Sequence, residues 1–127
     1  MGMRPTGSEE KDSLAALNQR LLDFARERDW EQFHSPKNLA MALIAECAEL
    51  VEHFQWLTEE QSQALSTDRR EEISLEMADI LIYLIRIAER TDIDLIDAAN
   101  RKIAVNERRY PSARVRGDAR RASEYEP

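Results

Sequence analysis

This sequence has little that would cross-link it or turn it sharply. Its 127 residues include one cysteine, three glycines and four prolines. A lone Cys47 forms no disulfide within the chain, which fits a reducing, cytoplasmic setting. Glu46 and Glu49 stand on either side of it and make it a poor site for a thiolate, so it reads as a small buried hydrophobe and not as a nucleophile. So few turn formers disfavour an all-β fold, which needs many turns. No apolar run approaches the roughly 18–20 residues of a membrane span, so no membrane partner is expected. The opening MGMRPTGSEEKD contains no apolar stretch, and no secretory signal is expected from it. With a net charge of −7, the chain is poorly suited to binding a nucleic-acid backbone as its main activity. The charge is uneven, however: from Arg108 onward six arginines face only Asp118, Glu124 and Glu126.

What is present points to helices. Apolar residues make up 43% of the chain and charged residues 34%, a balance typical of soluble helical proteins, and the length suits one domain with one core. Leu14, Leu17, Leu21, Phe24 and Ala25 recur at three- and four-residue spacing, one apolar stripe on a first helix ending near Arg28-Asp29. Thr6-x-x-Glu9 and Ser8 offer start signals for it. Ser35-Pro36 opens a second helix, expected to reach about Trp56 and to bury two faces. Thr58-x-x-Gln61 is a capping-box pattern for a short turn. A third helix starts at Thr67 or Asp68 and runs to about Arg90. Asp94 caps a fourth, which Tyr110-Pro111 stops after Arg109. Long helices with short connections give an all-α fold, a four-helix bundle. The third helix is apolar on most sides, so the subunit is expected to oligomerise. Residues 1–9 read as a flexible N-terminus, 10–111 as the folded domain, and 112–127 as a flexible arginine-rich tail.

The most informative pattern lies inside the second and third helices. Glu46 and Glu49 sit between Leu39, Ala42, Leu43, Ile44 and Leu50, Val51, Phe54. Glu76 and Asp79 sit between Ile73, Leu75 and Ile80, Leu81, Ile82, Leu84, Ile85. An ionised carboxylate buried without a partner costs several kcal/mol, as much as a whole domain's stability. Residues three apart share a helix face, so each pair points one way. If the two helices pack antiparallel, the four carboxylates converge, and their mutual repulsion calls for a divalent cation. An all-oxygen donor set suits Mg²⁺, with Mn²⁺ as a substitute, and not zinc. Di-iron bundles use Glu-x-x-His steps, and here His53 stands four residues from Glu49, not three. Two surface doublets on ordinary amphipathic helices are the plainer alternative, disfavoured by the apolar flanks. Glu52 and Glu72 fall near the same faces, as outer ligands or as solvated residues.

Other residues suit a substrate. Tyr83 lies one turn beyond Asp79, beside the carboxylates or as a core tyrosine. Lys102, Asn106 and Arg109 form one stripe on the fourth helix, fit to grip phosphates or simply to solvate a helix C-terminus. Trp30, Glu31, Gln32, Phe33 and His34 make an aromatic-rich connection, which with Trp56 walls a base pocket or plugs the bundle's end.

RDWEQFHSPKNL at 28–39, Glu46-x-x-Glu49 running into Phe54-Gln55-Trp56, Glu76-x-x-Asp79 running into ILIYL, and Lys102…Asn106…Arg109-Tyr110-Pro111 together resemble the MazG-like all-α nucleotide pyrophosphohydrolases. The likeness spans roughly residues 10–111. The doublets mark the superfamily, and the DWEQFH and FQW segments mark its dCTP pyrophosphatase branch. This resemblance implies Mg²⁺-dependent hydrolysis of a nucleoside triphosphate to monophosphate and pyrophosphate, in house-cleaning of the nucleotide pool, by a homodimer or tetramer. It implies Glu46, Glu49, Glu76 and Asp79 as catalytic metal ligands. Trp30 to His34, Trp56 and Tyr83 would line the nucleotide pocket, with Lys102, Asn106 and Arg109 on the phosphates. Cys47-Ala48 departs from the family, where many relatives carry a glycine before the second glutamate. Hydrolysis of dUTP or another nucleotide, and a non-catalytic helical interaction module, are the alternatives.

Overall fold

The computed structural model describes residues 13–120 and Glu124. The start signals at Thr6 and Ser8, the 1–9 segment and most of the last seven residues lie outside these. Every regular element among the described residues is helical: α1 (Leu14–Glu27), α2 (Pro36–Glu52), the short α3 (Glu59–Ser62), α4 (Thr67–Thr91), α5 (Leu95–Arg109) and the short α6 (Ser112–Val115). A 3₁₀ turn at Glu31–Phe33 joins α1 to α2. None of these helices is long and apolar enough to cross a membrane.

Side-chain caps account for where most of the helices begin. The hydroxyls of Ser13, Ser35, Thr58 and Ser66 and the carboxylate of Asp94 each accept a backbone N–H of the first turn. Each satisfies one of the four orphan donors that every helix start exposes. Thr58 and Gln61 form the full reciprocal capping box. The first helix starts behind Ser13, inside the expected span.

The chain falls into two compact units, one up to Asp92 and one from Ile93. In the first unit α4 packs against α2 and α1. Arg69 Nη1 donates to the His53 carbonyl at 2.9 Å, Glu46 meets Glu76, and His34 feels the charge of Arg86. Falling numbers on α2 thus meet rising numbers on α4, so the pair is antiparallel. Inward positions are Leu39, Leu43, Glu46 and Leu50 on α2, with His53 just past its end, and Ile73, Glu76, Ile80, Tyr83 and Ile87 on α4, where Ile85 and Arg86 are buried as well. Both follow the three-and-four rhythm of a helix–helix seam. The second unit contains α5 and α6, and Ile93, Ile96 and Ile103 are exposed.

Two expectations about α2 change. The helix ends at Glu52 because the chain turns away through N–H bonds of His53, Phe54, Gln55 and Leu57 to the Leu50, Val51 and Phe54 carbonyls. It also buries one broad face and not two: Met41, Ile44 and Val51 are more than half exposed. Among the described residues α4 is the helix that packs extensively on α2, and the other apolar flank of α2 is left exposed.

Candidate metal centre and nucleotide pocket

Glu46 and Glu76 occupy the seam between α2 and α4, where the rhythm calls for apolar residues. One oxygen each from Glu46, Glu49 and Glu76 lies within 4.8 Å of the others. Oε2 of Glu46 and Oε2 of Glu76 are both buried and without a hydrogen-bond partner among the described residues. Glu49 is exposed and closes the group from the solvent side. Asp79 lies outside this triad of oxygens but is half-buried, and its charge acts on Glu46. Glu52 and Glu72 are exposed, and Glu72 lies 4.0 Å from His53 Nδ1 instead.

Burial, followed by hydrogen bonding to Glu76 and Glu49 and by the charges of Glu49 and Asp79, pushes the carboxyl of Glu46 up to about 7. A proton therefore relieves the repulsion when nothing else does. A hard divalent cation would do the same. Octahedral Mg²⁺ at about 2.0–2.1 Å from each oxygen spaces its ligands roughly 3–4 Å apart, within the observed span. The donor set is all carboxylate and two of its oxygens are buried and unpaired, so the residues fit such an ion.

This has a consequence for stability. Below about 4.5 Glu46 is protonated in the folded and unfolded chain alike. Between there and about 7 only the folded chain keeps the proton, so the metal-free protein loses stability as pH rises through that window. Thermal unfolding in chelator at pH 5 and pH 8 measures the loss. Saturating Mg²⁺ should remove most of it by taking the place of the proton. A chelated protein equally stable at both pH values would show that Glu46 is not squeezed as described.

The aromatic connection is built by the end of α1. Asp29 adopts a left-handed conformation (φ 53°). Its N–H bonds the Arg26 carbonyl at 3.1 Å, and the Trp30 N–H bonds the Ala25 carbonyl at 2.9 Å. This is a Schellman stop, and the hydrophobic contact that accompanies such stops is Trp30 on Phe24, edge to face with centroids 5.6 Å apart. Trp30 in turn meets His34 edge-on at 6.5 Å. Phe24, Trp30 and His34 therefore form one aromatic wall. His34 Nδ1 is buried and unpartnered, and burial followed by the charge of Arg86 depresses its pKa. Glu31 pairs with Arg26 at 3.6 Å, and the Gln32 amide donates to the carbonyl and carboxylate of Asp29. Phe33 is exposed, and its carbonyl accepts from Asn38. Trp56 is 86% exposed in the turn after α2.

Tyr83 sits one turn beyond Asp79 on the α4 seam. Burial, then the charges of Glu46 and Asp79, raises its hydroxyl pKa, so it stands beside the carboxylates. Lys102, Asn106 and Arg109 are exposed along α5 in the second unit, with the Arg109 guanidinium 5.7 Å from the Tyr110 ring. Asn18 and Arg86, which no sequence pattern singled out, also belong to this first unit, and Phe24, expected only as part of an apolar stripe, packs on Trp30. The signal for Arg86 was an arginine in the middle of the run ILIYLIRIA.

The chain is similar to several known proteins. The chain is 43% identical over 117 residues to dCTP pyrophosphatase 1 of Bos taurus, covering 91% of this chain and 69% of that protein. It is 44% identical over 104 residues to dCTP pyrophosphatase 1 of Homo sapiens, covering 80% of this chain and 61% of that one. The crystal structure of a pyrophosphatase from Archaeoglobus fulgidus DSM 4304 superposes with a TM-score of 0.74 at 36% identity, covering 87% of this chain and 98% of that one. These likenesses define the class, a nucleotide pyrophosphohydrolase that acts on nucleoside triphosphates. The profile of the MazG-like family matches residues 42–124, and the chain belongs to that family.

Proposed function

We propose that this chain is a Mg²⁺-dependent pyrophosphohydrolase that converts dCTP, or a modified dCTP, and water to the monophosphate and pyrophosphate. The observation that carries the reading is the carboxylate triad set into the apolar seam, with two buried oxygens that have no other partner. The dCTP substrate is taken from the relatives' names and is supported by the Trp30–His34 wall, which resembles the segment marking that branch. The role of such an enzyme is clearance of unwanted nucleotides.

Glu46, Glu49 and Glu76 would hold the cation, with Asp79 completing the set. When bound, it supplies charge neutralisation for the triphosphate and a water of lowered pKa. Glu49, exposed at the open side, takes a proton from the attacking water as general base. The water oxygen bonds to the α-phosphorus as the bond to the bridging oxygen breaks, and pyrophosphate leaves. Tyr83 orients the nucleotide beside the carboxylates. Trp30 through His34 and Trp56 flank the base. Lys102, Asn106 and Arg109, of this or a neighbouring subunit, would bind phosphate oxygens and stabilise the charge on the leaving group. Leu75, Met77, Leu81, Ile82 and Leu84 of α4 are all exposed, an apolar surface that supports self-association into a dimer or tetramer.

The test is a panel of deoxynucleoside triphosphates with Mg²⁺, scored for monophosphate plus pyrophosphate, with sedimentation of the same preparation. The expected result is fastest release from dCTP by an oligomer. Preference for dUTP would move the substrate, and no release from any member would favour a non-catalytic helical module. A monomer would remove the oligomer reading.

A further inference from the structure

One buried group takes no part in the scheme above. Arg86 lies three residues beyond Tyr83 on α4, so the two share a helix side. The residue is 3% exposed, yet Nε, Nη1 and Nη2 all lack a hydrogen-bond partner among the described residues. A guanidinium carries five N–H donors and stays charged, and burying one without acceptors is costly. Glu31 and Glu89 are close enough to favour its charge but form no bond with it, while Arg90 and Arg26 oppose it. A helix interior that served packing alone would be better filled by leucine.

The atoms around Arg86 share its condition. His34 feels the Arg86 charge, and its Nδ1 is also buried and unpaired. Asn18 reaches the same stretch of α4, where its amide nitrogen donates to Glu89 Oε2 at 2.9 Å. That bond fixes the amide, and its Oδ1 is left buried without a donor. Phe24 and Trp30, packed edge to face, continue from His34 as an aromatic lining. Unpaired donors, an unpaired acceptor and an aromatic wall in one region match a planar ligand that carries acceptors and a donor on one edge.

Resting on the proposal that the substrate is a cytosine nucleotide, we propose that Arg86 determines base specificity by donating to the O2 and N3 acceptors of the cytosine ring. Asn18 Oδ1 accepts from the exocyclic amine at the other end of the same edge. Cytosine presents acceptor, acceptor, donor along this edge, whereas uracil presents acceptor, donor, acceptor. A forked guanidinium facing uracil meets the N3 proton, and the Asn18 oxygen meets a second oxygen, so uracil leaves groups unpaired on both sides.

The experiment compares wild type with R86M and R86K in steady-state hydrolysis of dCTP and dUTP with Mg²⁺, alongside thermal melting. R86M is expected to lower kcat/KM for dCTP by about 10–100-fold, the range for a lost charged hydrogen bond, and to shrink the dCTP-to-dUTP preference by a similar factor. Its melting temperature should hold or rise, since methionine removes a buried unpaired charge. R86K should recover only part of the preference, because an ammonium is a point charge and not a planar fork. An unchanged preference in both variants would overturn the inference. So would an equal fall on both substrates with a lowered melting temperature, which marks a structural role. Wild type inactive on every nucleotide would instead overturn the proposed function, and the inference with it.

Discussion

Replacing Glu49 by glutamine lowers the rate of pyrophosphate release by about 10²–10⁴-fold, the contribution of a general base, while the protein stays folded. The position allows the two effects to be separated. Glu49 is exposed and at the rim of the triad, whereas Glu46 and Glu76 carry its buried oxygens. The amide has nearly the shape of the carboxylate, so packing between α2 and α4 is retained, and melting should hold or rise because one charge of the crowded group is gone. The lost quantity is the negative charge that takes a proton from water and helps hold the cation. Single-turnover rates at saturating Mg²⁺ isolate the proton role, because added metal compensates for weakened binding. A folded Glu49→Gln enzyme with full Mg²⁺-dependent activity would end the assignment of Glu49 as base.

Stripping the divalent cation should have a similar or larger effect. With a chelator in excess, pyrophosphate release should fall by about three orders of magnitude or more, the equivalent of several kcal/mol of transition-state stabilisation at about 1.4 kcal/mol per decade. The physical reason is the charge at the site. Glu46, Glu49 and Glu76 together repel a triphosphate as strongly as they repel one another, unless a cation lies between them. Returning Mg²⁺ should restore the rate, and Mn²⁺, with the same preference for oxygen, should substitute. Titration against free metal with a pyrophosphate assay measures this. Full activity in chelator would leave the carboxylates without their proposed task.

The sequence showed much of this because much of it is local. Ser35-Pro36, Thr58-x-x-Gln61 and Asp94 cap helices where they stand, since a cap needs only the next three residues. Glu46-x-x-Glu49 and Glu76-x-x-Asp79 could be read as same-face pairs for the same reason. That α2 buries one face could not be read this way, because burial depends on what lies opposite and not on the residues themselves. Arg86 was passed over because an arginine in an apolar run reads equally as a solvent-facing stripe; its burial is set by the elements around α4.

By itself, then, the sequence determined the four long helices of the described residues, most of their ends, and the presence of carboxylates in stripes that burial would punish. The tertiary structure decided which carboxylates meet. Sliding α2 by one turn against α4 would keep every cap and every doublet, yet would separate Glu46 from Glu76 by about 5 Å along the axis. The register that prevents this comes from long-range packing along the seam and from Arg69 on the His53 carbonyl. That register turns two doublets into one centre, with Glu46 and Glu76 inside, Glu49 at the rim and Asp79 beside them.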